Sequence, residues 1–280
     1  MSCKLLFCSA LAISSLRAEG PYFITYSHNM EEPGNLEVSF DQVVGNPRPG
    51  NTFLGSNMEL EYGLKGWWTT ELYLDGQTTA NESTLFTGYR FENRFRPLMH
   101  EHWINPVLYV EYENINGADK TLREIVGHDG IADLVAPNSE ARREHLHEIE
   151  TKLILSSNFK GWNVSENIIA EKNLNNNPWE FGYAVGVSRP LALAASAKRC
   201  SLCRENLLAG VELYGGLGTR REFGLHDTSH YLAPTLAWQL PNGPVLGISP
   251  GFGLNGNSAG FLLRFTVSYE IEQFARMLHR

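Results

Sequence analysis

From residue 231 to residue 271, large apolar side chains alternate with small, polar or charged ones. Two turn-forming stretches, 241–244 and 255–258, divide this pattern into three segments. In the last segment the apolar set is Phe261, Leu263, Phe265, Val267, Tyr269 and Ile271. Because successive side chains of a β-strand point to opposite faces of its sheet, the pattern predicts an antiparallel meander with one apolar face.

Similar alternation recurs between residues 36 and 214, in segments separated by stretches rich in Gly, Pro, Asn and Asp. We count about twelve predicted strands, an even number, as single-chain bacterial membrane barrels have. The longest stretch without alternation is 116–144. A short helix is expected at 119–126, and the whole stretch is expected to be functional, mobile or folded into a lumen.

An apolar strand face can be buried in two ways. In a soluble exported barrel it faces inward, whereas in a membrane-spanning barrel it faces lipid and the polar residues line the lumen. Aromatic side chains near the predicted strand ends favour the membrane arrangement, because Trp and Tyr suit the headgroup level of a bilayer. They include Trp68, Trp162, Trp179, Tyr183, Trp238 and Tyr269. The soluble barrel remains the alternative.

The lengths of the connections also favour a membrane barrel. Tight turns fall on one side of the predicted sheet, at 65–66, 160–161 and 242–243. Long loops fall on the other side, around Gly45 and at 116–144 and 215–230. Short periplasmic turns and long extracellular loops are typical of membrane barrels. Two connections, 96–105 and 190–205, are long on the tight-turn side and depart from this rule.

The first residues have the pattern of a secretory signal peptide, with Lys4, an apolar run from Leu5 to Ile13 and small residues before Ala18. The chain is therefore expected to comprise a signal peptide, 1–18, and one β-barrel domain, 19–280. Its net charge of -8 shows no basic excess and argues against a nucleic-acid partner. The mean hydropathy of -0.25 does not argue against a membrane barrel, because alternating apolar and polar residues cancel when hydropathy is averaged along the chain.

The predicted fold class is all-β, an antiparallel up-and-down transmembrane β-barrel of about 12 strands. In these features the chain resembles bacterial outer-membrane β-barrel proteins, a resemblance of architecture without a family-specific motif. It implies a location in the bacterial outer membrane, with outer-membrane lipid as a partner. The oligomeric state stays open.

The predicted inward face carries charges of both signs with an excess of carboxylates. The expected lumen-lining set is Glu59, Glu61, Glu71, Arg90, Glu92, Arg94, Glu111, Glu113, Glu148, Glu150, Lys152, Glu212 and Arg264. As a pore lining, this set predicts a porin-like channel or transporter that passes small polar or cationic solutes. Two alternatives stay open: a charged network that only fills a narrow barrel, and a structural or adhesive barrel whose loops bind partners.

A catalytic role has weaker support in the sequence. His226, Ser229 and His230 bring imidazole and hydroxyl groups together in a predicted external loop. Outer-membrane phospholipases place a serine two residues from a histidine, and some lipid A deacylases are similar barrels. In this chain Thr228, and not a serine, occupies that place after His226. An outer-leaflet lipid hydrolase is therefore kept as an alternative, and a protein without enzymatic activity is favoured.

Cys200 and Cys203 form an even pair in a chain that is expected to be exported, which predicts a local disulfide. His100 and His102 could share a strand face, but no third metal ligand is identifiable near them. The sequence therefore predicts no metal site and no cofactor.

Overall fold

The computed structural model describes residues 20–175, 177–194, 200, 202–241 and 243–277. In this part of the chain twelve antiparallel strands close into one barrel, as the alternation predicts. The strands are β1 (Leu36–Gly45), β2 (Phe53–Lys65), β3 (Trp68–Thr79), β4 (Thr84–Phe95), β5 (Asn105–Asn116), β6 (His145–Phe159), β7 (Trp162–Asn173), β8 (Trp179–Pro190), β9 (Leu207–Thr219), β10 (His230–Gln239), β11 (Val245–Gly253) and β12 (Phe261–Ile271). The predicted signal peptide lies in residues 1–19, outside the described residues.

Closure of the barrel depends on the pairing of β1 with β12. Their register runs from Leu36 opposite Ile271 to Gly45 opposite Leu262 without a bulge. Every other strand pairs with its neighbours in the chain. Because each strand thus has a partner on both sides, its backbone N–H and C=O groups are satisfied within the sheet.

Exposure of the side chains on β12 distinguishes the two possible arrangements. Phe261, Phe265, Val267 and Tyr269 leave between 36% and 50% of their surface exposed, whereas Arg264 leaves 5%. The large apolar side chains therefore point outward and the charged ones inward. This is the arrangement of a barrel in lipid, and the soluble alternative is wrong.

The two ends of the barrel differ. At one end, which we call the turn end, β1 begins, β12 ends and residues 66–67 and 160–161 make tight turns. The opposite, loop end carries the connection 117–144, which we call the long loop. By the usual polarity of such barrels, the turn end faces the periplasm.

Helices are few and short. They are α1 (Ile131–Val135) and α2 (Asn138–Ala141) in the long loop, and α3 (Phe274–Met277) after β12, with a 3₁₀ turn at Arg204–Asn206. The helix expected at 119–126 is wrong, because wall side chains hold this part of the loop in a non-helical conformation. Arg264, for example, donates to the carbonyl groups of Thr121 and Leu122. None of these helices is long and apolar enough to cross a membrane.

Two segments fold into the barrel interior. One is the long loop; the other is residues 20–35, which we call the amino-terminal segment. They contribute Ile125, Leu134 and Ile24 to a buried apolar cluster with Ala259 of the connection between β11 and β12 and with the wall residues Val43, Phe53, Ala184, Tyr214, Tyr231, Ala233 and Leu262. The long loop also packs its backbone onto β2, where a Cβ added to Gly55 would lie 2.1 Å from the carbonyl oxygen of Lys120. Only glycine permits this approach.

Val267 faces outward near the middle of β12, so it tests whether this face meets hydrocarbon. We expect Val267→Arg to lower the free energy of unfolding by about 2–4 kcal/mol, the cost of a basic side chain at the bilayer midplane. Denaturant unfolding in lipid vesicles measures this difference. The apolar variant Val267→Phe is the control and should unfold like the wild type. Equal stability of Val267→Arg would mean that this face does not contact hydrocarbon.

Candidate functional site

All thirteen residues of the expected lumen-lining set lie inside the barrel, and none exposes more than 8% of its surface. Alternation along each strand directs them inward, and barrel closure brings them together. Eleven of them lie on β2 to β6, whereas Glu212 and Arg264 lie on the opposite wall. The interior is therefore asymmetric in charge.

Nine glutamates lie directly opposite one another on nine consecutive strands, from β12 through β1 to β8. In order they are Glu270, Glu37, Glu61, Glu71, Glu92, Glu111, Glu150, Glu171 and Glu180. We call this set the glutamate row. Like charges in direct opposition destabilise a sheet, so the row requires cations beside it.

Basic side chains lie on both sides of the glutamate row. Arg94 lies 2.5 Å from Glu61 and 3.1 Å from Glu92, and it also pairs with Glu71. All four residues are almost fully buried. Ion pairs of this kind are strongly stabilising only as a set, because removal of one partner leaves an uncompensated buried charge.

Arg90 is the centre of a second group. Its guanidinium lies 3.0 Å from Asp75 and 3.1 Å from Glu113 on the wall, and 2.7 Å from Glu124 of the long loop. On β6, Lys152 forms a further ion pair, 2.7 Å from Glu150. The long loop is thus held to the charged wall by ion pairs as well as by the apolar cluster.

The amino-terminal segment is held through its backbone. The Glu212 carboxylate accepts hydrogen bonds from the N–H groups of Phe23, Ile24 and Thr25, at 2.9, 2.9 and 2.7 Å. On the other side, Asn167 accepts from the N–H of Tyr26 at 2.6 Å and donates to its C=O at 2.9 Å. Two inward wall residues therefore fix the segment across the lumen.

The two inward segments meet near the middle of the barrel. Arg123 of the long loop donates to the hydroxyl of Tyr26 at 2.9 Å, and its guanidinium lies 4.1 Å from the ring centre of Tyr73. It also lies 3.5 Å from both Asp41 and Glu59. This contact narrows the interior between the two ends.

A cavity of about 760 Å³ remains beside the amino-terminal segment. Its wall on β10, β11 and β12 carries small side chains, among them Ala237, Gly247, Thr266 and Ser268. The cavity extends from turn-end residues such as Trp162 to the underside of the long loop at Thr121, Arg123 and Arg264. Its size suits a small solute.

The catalytic candidates are not brought together. His226 is exposed and pairs with Asp227 at 2.7 Å. Ser229 is buried, and its hydroxyl donates to the carbonyl groups of Asp129 and Asn257. A serine that is buried in this way is not accessible to a lipid.

His230 instead contacts Thr228, with 2.9 Å between Nε2 and Oγ1, and Tyr183, with 3.1 Å between Nδ1 and the hydroxyl. Thr228 is fully buried, so this pair offers no accessible nucleophile either. Cys200 and Cys203 are joined in a disulfide, with Cα atoms 5.4 Å apart. His100 and His102 are both exposed.

Several interior residues are missing from the predicted lumen-lining set. Asp75 and Asn167 lie on the polar faces of predicted strands, whereas Tyr26, Asp119, Arg123 and Glu124 lie in the two segments that enter the barrel. The two segments that enter the barrel do not alternate, so periodicity gives no signal for them. The one available signal was the length of the 116–144 stretch.

No family model matches the chain, and no curated protein matches its sequence. Among solved structures, an outer-membrane channel from Pseudomonas putida F1 is similar, with a TM-score of 0.55, 11% identity, and coverage of 85% of this chain and 96% of that one. The KdgM porin has a TM-score of 0.49, 7% identity, and coverage of 83% and 98%. The NanC porin has a TM-score of 0.46, 9% identity, and coverage of 83% and 97%.

The first of these similarities shows the fold. The chain has the fold of bacterial outer-membrane β-barrel proteins, as its alternation predicts. Its outward apolar face agrees with that fold. An outer-membrane location, expected from the sequence, agrees with both.

Glu31 of the amino-terminal segment offers a test of the packing at the turn end. Burial first, and then the carboxylates of Glu270 and Glu37, raise the pKa of Glu31 from 4.5 to about 8. Its neutral form is therefore favoured by folding, and this contribution to stability is full below the ordinary pKa. It is lost as the pH rises through about 8.

We expect the free energy of unfolding of the wild type to fall between about pH 5 and pH 8, and Glu31→Gln to reduce this fall. Denaturant unfolding at a series of pH values measures it. Its exposed neighbour supplies the matched control, Glu32→Gln, which should keep the wild-type profile. Identical profiles for wild type and Glu31→Gln would contradict the assignment.

Proposed function

We propose that the protein is an outer-membrane channel for small polar solutes, cations included, and that the structure represents its closed conformation. The observation that carries this proposal is the cavity between the amino-terminal segment and the wall of β10, β11 and β12. It spans the turn-end half of the barrel and stops beneath the long loop. A solute path interrupted by one loop is the arrangement expected of a gated channel.

The path follows the wall of small residues. The opposite wall, on β2 to β7, carries most of the buried ion pairs. On β11 and β12, by contrast, Gly247, Thr266 and Ser268 occupy little volume. Polar solutes could there exchange water for hydroxyl, amide and charged groups.

The long loop closes this path from the loop end. Arg264 donates to the carbonyl of Leu122 at 2.7 Å and to that of Thr121 at 3.4 Å. Ile125 and Leu134 pack into the apolar cluster above. Opening therefore requires residues near 121–125 to move away from Arg264, while the barrel wall stays fixed by its strand pairing.

Ser268 is the place to test the path, because its side chain lines the cavity and that of the preceding residue, Val267, faces lipid. We expect Ser268→Trp to reduce single-channel conductance in planar bilayers to roughly half or less, because the ring would fill the narrow cavity. Val267→Trp adds the same side chain on the lipid face and should conduct like the wild type. Equal conductance of both variants would place the path elsewhere.

Arg264 tests the gate independently. We expect Arg264→Gln to raise the fraction of time spent open, because the long loop loses two hydrogen bonds from the guanidinium. The same bilayer recordings measure this fraction, with a gel-shift assay to confirm that the barrel is folded. If folded wild type and Arg264→Gln both fail to conduct, the channel proposal is wrong.

A further inference from the structure

We propose that the charged wall binds a divalent cation of the class that prefers oxygen ligands, such as Mg²⁺, Ca²⁺ or Mn²⁺. The site is the group Glu111, Glu113, Glu124 and Glu150, with Glu171 beside it. This goes beyond the proposed channel function, since it concerns equilibrium binding and does not require conduction.

The geometry of the four glutamates suits one ion. Each offers a carboxylate oxygen, and these oxygens all lie within 4.8 Å of one another. Hard divalent cations bind oxygen at about 2.0–2.6 Å, so ligands on opposite sides of one ion are about 4–5 Å apart. Glu111, Glu113 and Glu150 are almost completely buried on β5 and β6, and Glu124 reaches them from the long loop.

Resident cations leave part of this group unsatisfied. Arg90 contacts Oε1 of Glu124 and Oε2 of Glu113, and Lys152 contacts Oε1 of Glu150. Oε1 of Glu113, Oε2 of Glu124 and Oε2 of Glu150 are buried without a hydrogen bond. A buried carboxylate oxygen in this state is costly unless a proton or a cation meets it.

Glu171 gives a second, independent indication. It lies on β7 directly opposite Glu150, and only 7% of its surface is exposed. Among the described residues, none donates a hydrogen bond to its carboxylate or forms an ion pair with it. An unpaired buried carboxylate that faces an acidic group is expected where a further cation binds.

The charge balance of the region supports the same conclusion. The acidic groups that face it are Asp75, Glu111, Glu113, Asp119, Glu124, Glu148, Glu150 and Glu171. The basic groups near them are Arg90, Lys152 and, from the long loop, Arg123. Three basic side chains cannot neutralise eight carboxylates, and a divalent cation reduces the excess without a change in the fold.

The glutamate row supplies a route to this site. Glu270 lies one residue from the turn end of β12, and Glu180 lies one residue from the loop end of β8. The row therefore climbs from one end of the barrel to the other and passes through Glu111, Glu150 and Glu171 on the way. A cation that enters at either end would meet one carboxylate of the row on each of these nine strands.

Binding of Mn²⁺ to the purified, folded protein in detergent tests the proposal. After removal of metal with a chelator, electron paramagnetic resonance measures free Mn²⁺ during titration, and Mg²⁺ and Ca²⁺ serve as competitors. We expect saturable binding by the wild type. The double variant Glu150→Gln with Glu171→Gln should bind at least about 10-fold more weakly.

Glu166→Gln is the matched control, because Glu166 lies on the same strand as Glu171 but is exposed on the outer face. It should bind Mn²⁺ like the wild type. Where the double variant does not fold, the single variant Glu171→Gln is measured instead and should also bind more weakly. No saturable binding by the wild type, or equal binding by the control and the Glu171 variant, would overturn the proposal. Since the measurement uses no bilayer, failure of conduction leaves its outcome unaffected.

Discussion

Hydrocarbon cannot accept or donate hydrogen bonds, and this constraint determines the rest of the structure. A sheet in lipid must satisfy every backbone group by itself, which the pairing of β1 with β12 achieves by closing the barrel. Once the sheet is closed, each strand has one face toward lipid and one toward the interior. The apolar face must then be outside, so that most charged strand residues are enclosed together.

Enclosure of so many charges divides the interior into two halves with different properties. On β2 to β7, carboxylates, arginines and Lys152 form dense ion pairs that fix the wall and hold the long loop. On β10 to β12, small side chains leave the cavity. The long loop packs against the ion-paired wall of β2 to β7, and the cavity lies along the wall of small residues on β10 to β12. The proposed channel and the proposed cation site lie in different halves for this reason.

The sequence was sufficient for the barrel but for only part of the candidate site. The number of strands and the inward position of residues such as Glu111 follow from the alternation of apolar and polar residues, and so does the outward position of the apolar face. This alternation is a local property of the sequence. Which glutamates oppose one another is not local, because it depends on the register of all twelve strands. The contact between Arg123 and Tyr26 could not be predicted from the sequence either, since it joins two distant segments. The helix expected at 119–126 was wrong because Arg264 and the charged wall outweigh local propensity there.

The way in which Glu212 and Asn167 hold the amino-terminal segment has an evolutionary consequence. Both residues bind main-chain groups, which are the same whatever side chain follows them. These hydrogen bonds therefore place few demands on the side chains at 23–25, and packing in the apolar cluster is what restricts Ile24. Glu212, by contrast, cannot change without loss of three bonds at once, so selection is expected to act on the two wall residues more strongly than on the polar character of the peptide that they hold.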